Sequence, residues 1–199
     1  MTVENVDIPS HWELFSIEDF AEVKGGKRLP AGEDFASEVT PFPYLRVTDM
    51  VNGSIDDSNL AYVKPEIQKL ISKYTISCKD IYVTIAGTLG MFGRIPFKLD
   101  GAQLTENSAK ITCVDNSIID LDYLFYALNS DLIRSQVNVE MGVGAGVPKL
   151  AIYRIEGFNV LAPKVKSEQR KIAKILSTVD NLIEKTQALP FTLFIILKI

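Results

Sequence analysis

The sequence predicts an α+β (mixed α/β) fold: one globular domain followed by a long protruding C-terminal helix that pairs with another helix. Three observations carry this reading. Short β-rich runs are punctuated by glycine and proline turns, and they are not spaced as regular βαβ units, which argues against a doubly wound sheet. A helical apolar pattern occupies the stretch from Asp120 to about Val137. After Pro163, apolar residues step by three and four for about two and a half heptads. The chain has 199 residues, enough for one well-buried domain plus an appendage. Its 47% apolar and 23% charged residues are ordinary for a globular protein and point away from disorder, collagen or a repeat array.

In chain order, residues 12–23 begin as a short strand and pass into a turn of helix. Lys24-Gly25-Gly26-Lys27-Arg28-Leu29-Pro30-Ala31-Gly32 holds three glycines and a proline and is expected to be a loop. Phe42 to Met50 reads as a strand, and Val51-Asn52-Gly53-Ser54 as a tight turn, because Asn-Gly supplies positive φ. Pro65 to Ser72 is expected to be helical. Asp80 to Ala86 is a strand ending at Gly87, and Gly90 and Gly93 bracket a turn into Arg94-Ile95-Pro96-Phe97. Ser108 to Val114 alternates like a strand. The next helix starts at Asp120, a good N-cap, and buries Leu121, Leu124, Phe125, Leu128, Leu132 and Ile133. Gly142 to Pro148 is expected to be a loop, and Gly157 to Ala162 a strand closed by Pro163. Ser167 can cap the last helix, with Glu168 near the positive end of its dipole. Ile172, Ile175, Leu176, Val179, Leu182, Ile183 and Thr186 form its apolar seam. That seam is longer than one domain surface needs, which favours pairing with another helix over packing on its own domain. Pro190 is expected to break the helix, leaving an apolar, β-prone tail that is an aggregation hazard if exposed.

Several function classes are excluded. The two cysteines, Cys78 and Cys113, lie far apart in apolar surroundings and read as buried free thiols, which fit a reducing, cytoplasmic setting. With one histidine, His11, and no CxxC, the chain lacks an ordinary zinc ligand set. No basic stretch followed by an apolar one opens the sequence, so no signal peptide is expected. No apolar run is long enough to span a membrane. The net charge is −4, but it is uneven. Residues 1–165 carry 15 basic and 22 acidic side chains (−7), and residues 166–199 carry six and three (+3). An acidic domain binds DNA only if its cations gather on one face.

Certain stretches resemble a known family. Trp12-Glu13-Leu14 and Gly26-Lys27-Arg28-Leu29-Pro30 are similar to the opening of the specificity subunits of type I restriction–modification systems. Tyr44 to Met50 resembles their second recurrent stretch. Ala86-Gly87-Thr88-Leu89-Gly90 with Gly93-Arg94 resembles their G-T-x-G turn. The strongest likeness is Phe158 to Pro163, then Glu168-Gln169-Arg170-Lys171-Ile172-Ala173-Lys174-Ile175-Leu176-Ser177, then Asp180. The resemblance covers residues 10–189 and implies a target-recognition domain over 1–163 and a spacer and dimerisation helix over 164–189; the apolar tail over 190–199, of unknown role, departs from the family pattern. It implies a non-catalytic subunit that reads one half of a split site in double-stranded DNA. Its helix would dock modification (methyltransferase) subunits, which work with a restriction (translocase and nuclease) subunit. S-adenosylmethionine, ATP and Mg would belong to those partners, with no cofactor in this chain. The family pattern is two recognition domains and two antiparallel helices. This chain has one of each, which implies either a homodimer reading a two-fold symmetric site or a piece of a longer gene.

For DNA reading the candidate residues are Lys24, Lys27, Arg28, Arg46, Arg94, Gln103, Asn107 and Lys149. Lysine and arginine grip phosphates, while Arg, Asn and Gln reach base edges. The Lys24 to Arg28 cations read equally as solvated loop charges. Arg46 and Arg94 each suit guanine or an acid inside the fold. Gln103, Thr105, Glu106 and Asn107 are expected together in a loop before a strand, where Asn or Gln suits adenine. Three rivals remain in view. Gly142-Val143-Gly144-Ala145-Gly146 imitates a methyltransferase cofactor loop, but it follows a helix and meets Pro148, and no Asn-Pro-Pro-Tyr type motif exists. Asp19, Glu22 and Lys24 loosely imitate a nuclease metal site, with their acids too close together. Nucleophilic catalysis is poorly served, because His11 lies in an N-terminal stretch expected to be mobile. A coiled-coil interaction protein that never touches DNA would use the same C-terminal helix.

Overall fold

The computed structural model describes residues 8–141 and 149–196; the predicted loop Gly142 to Pro148 lies outside them. Its strands are β1 (Trp12–Ser16), β2 (Ala21–Gly25), β3 (Pro43–Leu45), β4 (Met50–Val51), β5 (Ser54–Ile55) and β6 (Ala61–Tyr62). They are followed by helix α1 (Pro65–Ile71), β7 (Thr75–Ile76), β8 (Ile81–Thr84), β9 (Phe92–Gly93), β10 (Ala102–Leu104) and β11 (Ser108–Cys113). Helices α2 (Leu121–Leu128), α3 (Asp131–Met141) and α4 (Ile152–Glu156) precede β12 (Asn159–Pro163) and the long helix α5 (Lys166–Ile196).

Two four-stranded sheets, ordered β2-β11-β8-β9 and β6-β3-β10-β7, stack with helices on their outer faces. The period-two pleat explains the layering. Along β8, Ile81 and Val83 point into a core shared with α2, α3, α4, β12 and the start of α5, while Tyr82 between them points into the inter-sheet core. Along β3, Leu45 joins that inter-sheet core and Tyr44 faces α1 with Val63, Ile67 and Ile71. The mixed architecture follows: β10 runs parallel to β3, and the other strand pairings among the described residues are antiparallel. β4 and β5 form the Asn-Gly hairpin, with φ of 52° at Asn52 and 74° at Gly53, as the turn chemistry predicts.

Several boundaries differ from the sequence reading. Lys24 and Gly25 belong to β2 because β11 pairs with them, so the loop starts later. The expected strand Phe42 to Met50 is interrupted by a 3-10 turn at Val47–Asp49, since the Asp49 carboxylate takes the Arg46 backbone N–H (2.8 Å) and guanidinium (2.7 and 3.1 Å). The single helix expected over Asp120 to Val137 is two. The first ends at Asn129, whose side chain donates to the Phe125 carbonyl (2.8 Å), and the chain turns before Asp131. Asp120 is the N-cap, accepting from Asp122 and Tyr123 N–H groups. Ser167 is not a cap but lies inside the first turn of α5. Cys78 and Cys113 are free thiols but only half-buried; burial nevertheless pushes the Cys113 thiol up to about 11. His11 is held in place, its Nε2 lying 3.3 Å from Glu168.

α5 is docked on the domain over its first turns, and beyond them its apolar seam is open to solvent as far as Thr186. Gln169 is fully buried; its Oε1 accepts from the Asp120 N–H (2.7 Å), and its Nε2 donates to the carbonyls of Ile118 (3.0 Å) and Pro163 (2.8 Å). Arg170 Nε reaches the Asp120 carboxylate at 3.1 Å, and Ala173 and Ile172 pack into the core. The Trp12 indole donates to Glu168 at 3.2 Å, and the Tyr126 hydroxyl to Asp180 at 2.8 Å. The rest of the seam faces solvent: Ile175 is 64% and Leu182 58% exposed, with Leu176, Val179 and Ile183 also open. Pro190 does not end the helix, which continues to Ile196. A proline forfeits one N–H···O bond and crowds the preceding turn at roughly 3 kcal/mol, and the residues on both sides keep the helical geometry here. Among the described residues, no helix is long and apolar enough to cross a membrane.

Gln169→Leu should lower unfolding stability by roughly 3 kcal/mol, because buried backbone groups left unpaired each cost about 1–3 kcal/mol. Denaturant titration checks this, with a lower midpoint at unchanged slope expected.

Candidate functional site

The loop after β2 is pinned by its main chain. Gly26 N–H donates to the Ser108 carbonyl (2.9 Å) and Lys27 N–H to the Leu104 carbonyl (2.8 Å). A Cβ on Gly26 would lie 2.1 Å from the Thr105 carbonyl oxygen and 2.3 Å from that of Leu104, so only glycine allows this approach. The approach sets Lys27 and Arg28 beside the turn Thr105–Asn107, which joins β10 to β11. Two clefts flank that junction. The first, of about 370 Å³, is lined by Lys27, Arg28, Glu106, Lys149 and Ile152 among others. The second, of about 440 Å³, is lined by Arg28, Phe35, Tyr44, Arg46, Glu106 and Asn107 among others. Arg28 and Glu106 belong to both, with Arg28 Nε 3.5 Å from Glu106 Oε1.

Tyr44 holds the floor of the junction. Its hydroxyl donates to the Lys27 carbonyl at 2.9 Å and stands 3.4 Å from Glu106 Oε2. Burial pushes its phenol above the ordinary range, so it stays a neutral donor. Thr105, itself buried, donates its hydroxyl to Glu106 Oε2 at 3.0 Å. The Phe35 ring packs on Tyr44 with centroids 5.0 Å apart and is 39% exposed, an apolar wall to the second cleft.

Five of the sequence-predicted residues gather here: Lys27, Arg28, Arg46, Asn107 and Lys149. Lys27 also lies over the Tyr74 ring at 5.7 Å, and Lys149 is brought in by an isolated bridge to Ala86. Arg46 lines the second cleft, but its guanidinium is committed to Asp49 and to the Asn59 carbonyl (2.6 Å). Three residues lie elsewhere. Lys24 pairs with Glu22 on its own strand. Arg94 pairs with Asp122 in a separate cleft between α2 and α5. Gln103 is corrected outright: it lies in β10, not a loop, and is 2% exposed, because the parallel pairing with β3 draws it into the sheet. The Phe35 wall and Ile152 were not anticipated. The polar cluster Thr105-Glu106-Asn107 is the sequence signal for the turn, and the structure adds Glu106 to the residues at the junction.

The family model for the type I restriction modification DNA specificity domain matches residues 9–192. The chain belongs to this family. Its specificity domain is similar to the type I restriction enzyme MjaVIII specificity subunit of Methanocaldococcus jannaschii, 29% identical over 88% of this chain and 37% of that one. The chain thus spans well under half the length of that curated relative. In fold it is similar to the type I restriction–modification S subunit from M. genitalium, with a TM-score of 0.62 at 18% identity, covering 95% of this chain and 43% of that one. It is also similar to the HsdS subunit from Thermoanaerobacter tengcongensis, with a TM-score of 0.64 at 12% identity, covering 92% and 40%.

The motifs that resemble the family are structural parts of the specificity domain. Trp12 meets Glu168, Gly26 packs the cation loop, Arg46 and Asp49 close a turn, and Gln169 docks α5. In the glycine turn after β8, Gly90 N–H returns to the Thr84 carbonyl at 2.9 Å. Gly26→Ala should therefore separate the loop from the Thr105 turn and destabilise the fold by about 1–3 kcal/mol, the usual range for overpacking. Thermal melting, with Gly157→Ala as a control where a Cβ meets nothing nearer than 3.7 Å, measures the difference.

Proposed function

We propose that this chain is a DNA sequence-recognition subunit of a type I restriction–modification complex, binding one half of a split target. The observation that carries the reading is the gathering of Lys27, Arg28 and Lys149 at one cleft of a specificity-family domain whose net charge is negative. The cations supply phosphate contacts, and Asn107 and Arg28 stand where base edges are within reach. The recognition domain spans 1–163, and the spacer helix 164–189 leads into the apolar tail 190–199. The exposed seam of α5 from Ile175 to Thr186 supports pairing with the α5 of a second copy, and modification subunits dock on the helix pair. The chain itself is non-catalytic and works in the cytoplasm. S-adenosylmethionine, ATP and Mg serve the modification and restriction subunits. The same seam favours one other reading, a coiled-coil interaction protein without DNA binding.

Methylation mapping in cells that co-express the chain with a modification subunit from its own genome tests the proposal. A split, two-fold symmetric methylated motif is expected from a homodimer. An asymmetric motif would mean that a different specificity chain supplies the second half, and no motif would overturn the proposal. In a salt titration, Lys27→Ala should weaken DNA binding nearly equally across sequences and reduce the salt slope by about one. No salt-dependent binding to DNA at all would favour the coiled-coil reading.

Two charges placed in the seam, Leu182→Glu with Ile183→Lys, should abolish pairing without unfolding the domain, since both side chains are solvent-facing in the single chain. Sedimentation would show a monomer in place of a dimer, beside an unchanged melting profile for the globular part.

A further inference from the structure

We infer that Glu106 is a specificity-determining residue that accepts a hydrogen bond from the exocyclic amino group of a cytosine or adenine, on the face proposed above to read DNA. The inference rests on that reading. A carboxylate repels phosphates, so its place between two cation-lined clefts needs a reason.

The geometry gives the side chain one fixed end and one open end. Oε2 takes the buried Thr105 hydroxyl at 3.0 Å and stands 3.4 Å from the Tyr44 hydroxyl. Since Tyr44 has one proton and spends it chiefly on the Lys27 carbonyl at 2.9 Å, Thr105 is the main anchor. Oε1 faces Arg28 at 3.5 Å, too long for a good hydrogen bond, and Arg28 is 74% exposed. An exposed pair of this kind is worth little and yields readily to a better partner. An ionised carboxylate offers about four acceptor sites, so Oε1 keeps capacity. The Glu106 side chain is 27% exposed, enough to be reached and buried enough to be pre-oriented.

The matching ligand chemistry is an N–H donor without positive charge, since the surrounding cations disfavour another cation. In the DNA major groove that donor is the amino group of cytosine N4 or adenine N6. Arg28, freed from Oε1, then turns to a phosphate or to a neighbouring guanine edge, and the Asn107 amide lines the same cleft. Thymine O4 and guanine O6 present a lone pair to the carboxylate, which rejects them.

The test is the methylated motif of Glu106→Gln beside that of the wild-type chain, each co-expressed with the modification subunit. Glutamine keeps the shape and the Thr105 contact but adds a donor. One motif position that reads C or A should relax toward T or G, with discrimination falling about tenfold. Equilibrium competition with target duplexes carrying each single base-pair change reads the same preference without turnover, should the variant complex methylate too slowly. Uniform weakening across all those duplexes, or a motif identical to the wild type, would overturn the inference while leaving the recognition function standing. A wild-type chain that yields no motif at all would overturn both.

Discussion

The start of α5 is fixed to the domain by the side chain of Gln169. This side chain is buried and satisfied on both ends, and it ties the helix start and the end of β12 at Pro163 to the cap of α2 at Ile118–Asp120, about 50 positions earlier. A neutral amide suits the position because it donates and accepts at once, where a charged group would be costly to bury. Glu168 and Arg170 on either side add the Trp12 and Asp120 contacts at the surface. The direction in which α5 leaves the domain is therefore set by hydrogen bonds with fixed geometry, to which Ile172 and Ala173 add apolar packing.

The same economy governs the cleft. Its cations are not placed by ion pairs with deep acids but by the main chain of Gly26 and Lys27 lying against Leu104 and Thr105. The acids that do pair inside the fold, Asp49 and Asp80, shape turns. Asp49 holds Arg46, and Asp80 takes the Ser77 N–H (2.8 Å) and the Thr112 hydroxyl (2.6 Å). Arg46 shows how such a commitment limits a residue, since its donors are largely spent before any ligand arrives.

The sequence was most legible where local chemistry alone decides. Asn52-Gly53, the Asp120 cap and the α5 seam all follow from turn, cap and period rules, and each stands where those rules put it. It was least legible where a distant partner decides. Gln103 looks like a loop residue until β3 pairs with β10, setting Gln103 opposite Tyr44 59 positions earlier, and nothing local signals that parallel neighbour. The break between α2 and α3 was hidden because Leu128, Leu132 and Ile133 keep a helical spacing across it. Pro190 is the opposite case, a strong local rule overridden within a helix that runs from Lys166 to Ile196. At the cleft, the cations of the glycine loop were visible, but which of them converge was not, because β2 and β11 first absorb Lys24.

The main-chain anchoring of the Gly26 loop has a consequence for how such a surface changes over generations. Because the position of residues 27, 28, 106 and 107 is fixed by backbone contacts and by Thr105, exchanging their side chains leaves the frame standing. At the exposed positions 27 and 28 such replacements are usually nearly neutral for stability. A lineage can thus try new tips on an unchanged mount, drifting from one partner preference to another without passing through unfolded intermediates, while the glycine beneath them stays beyond its reach.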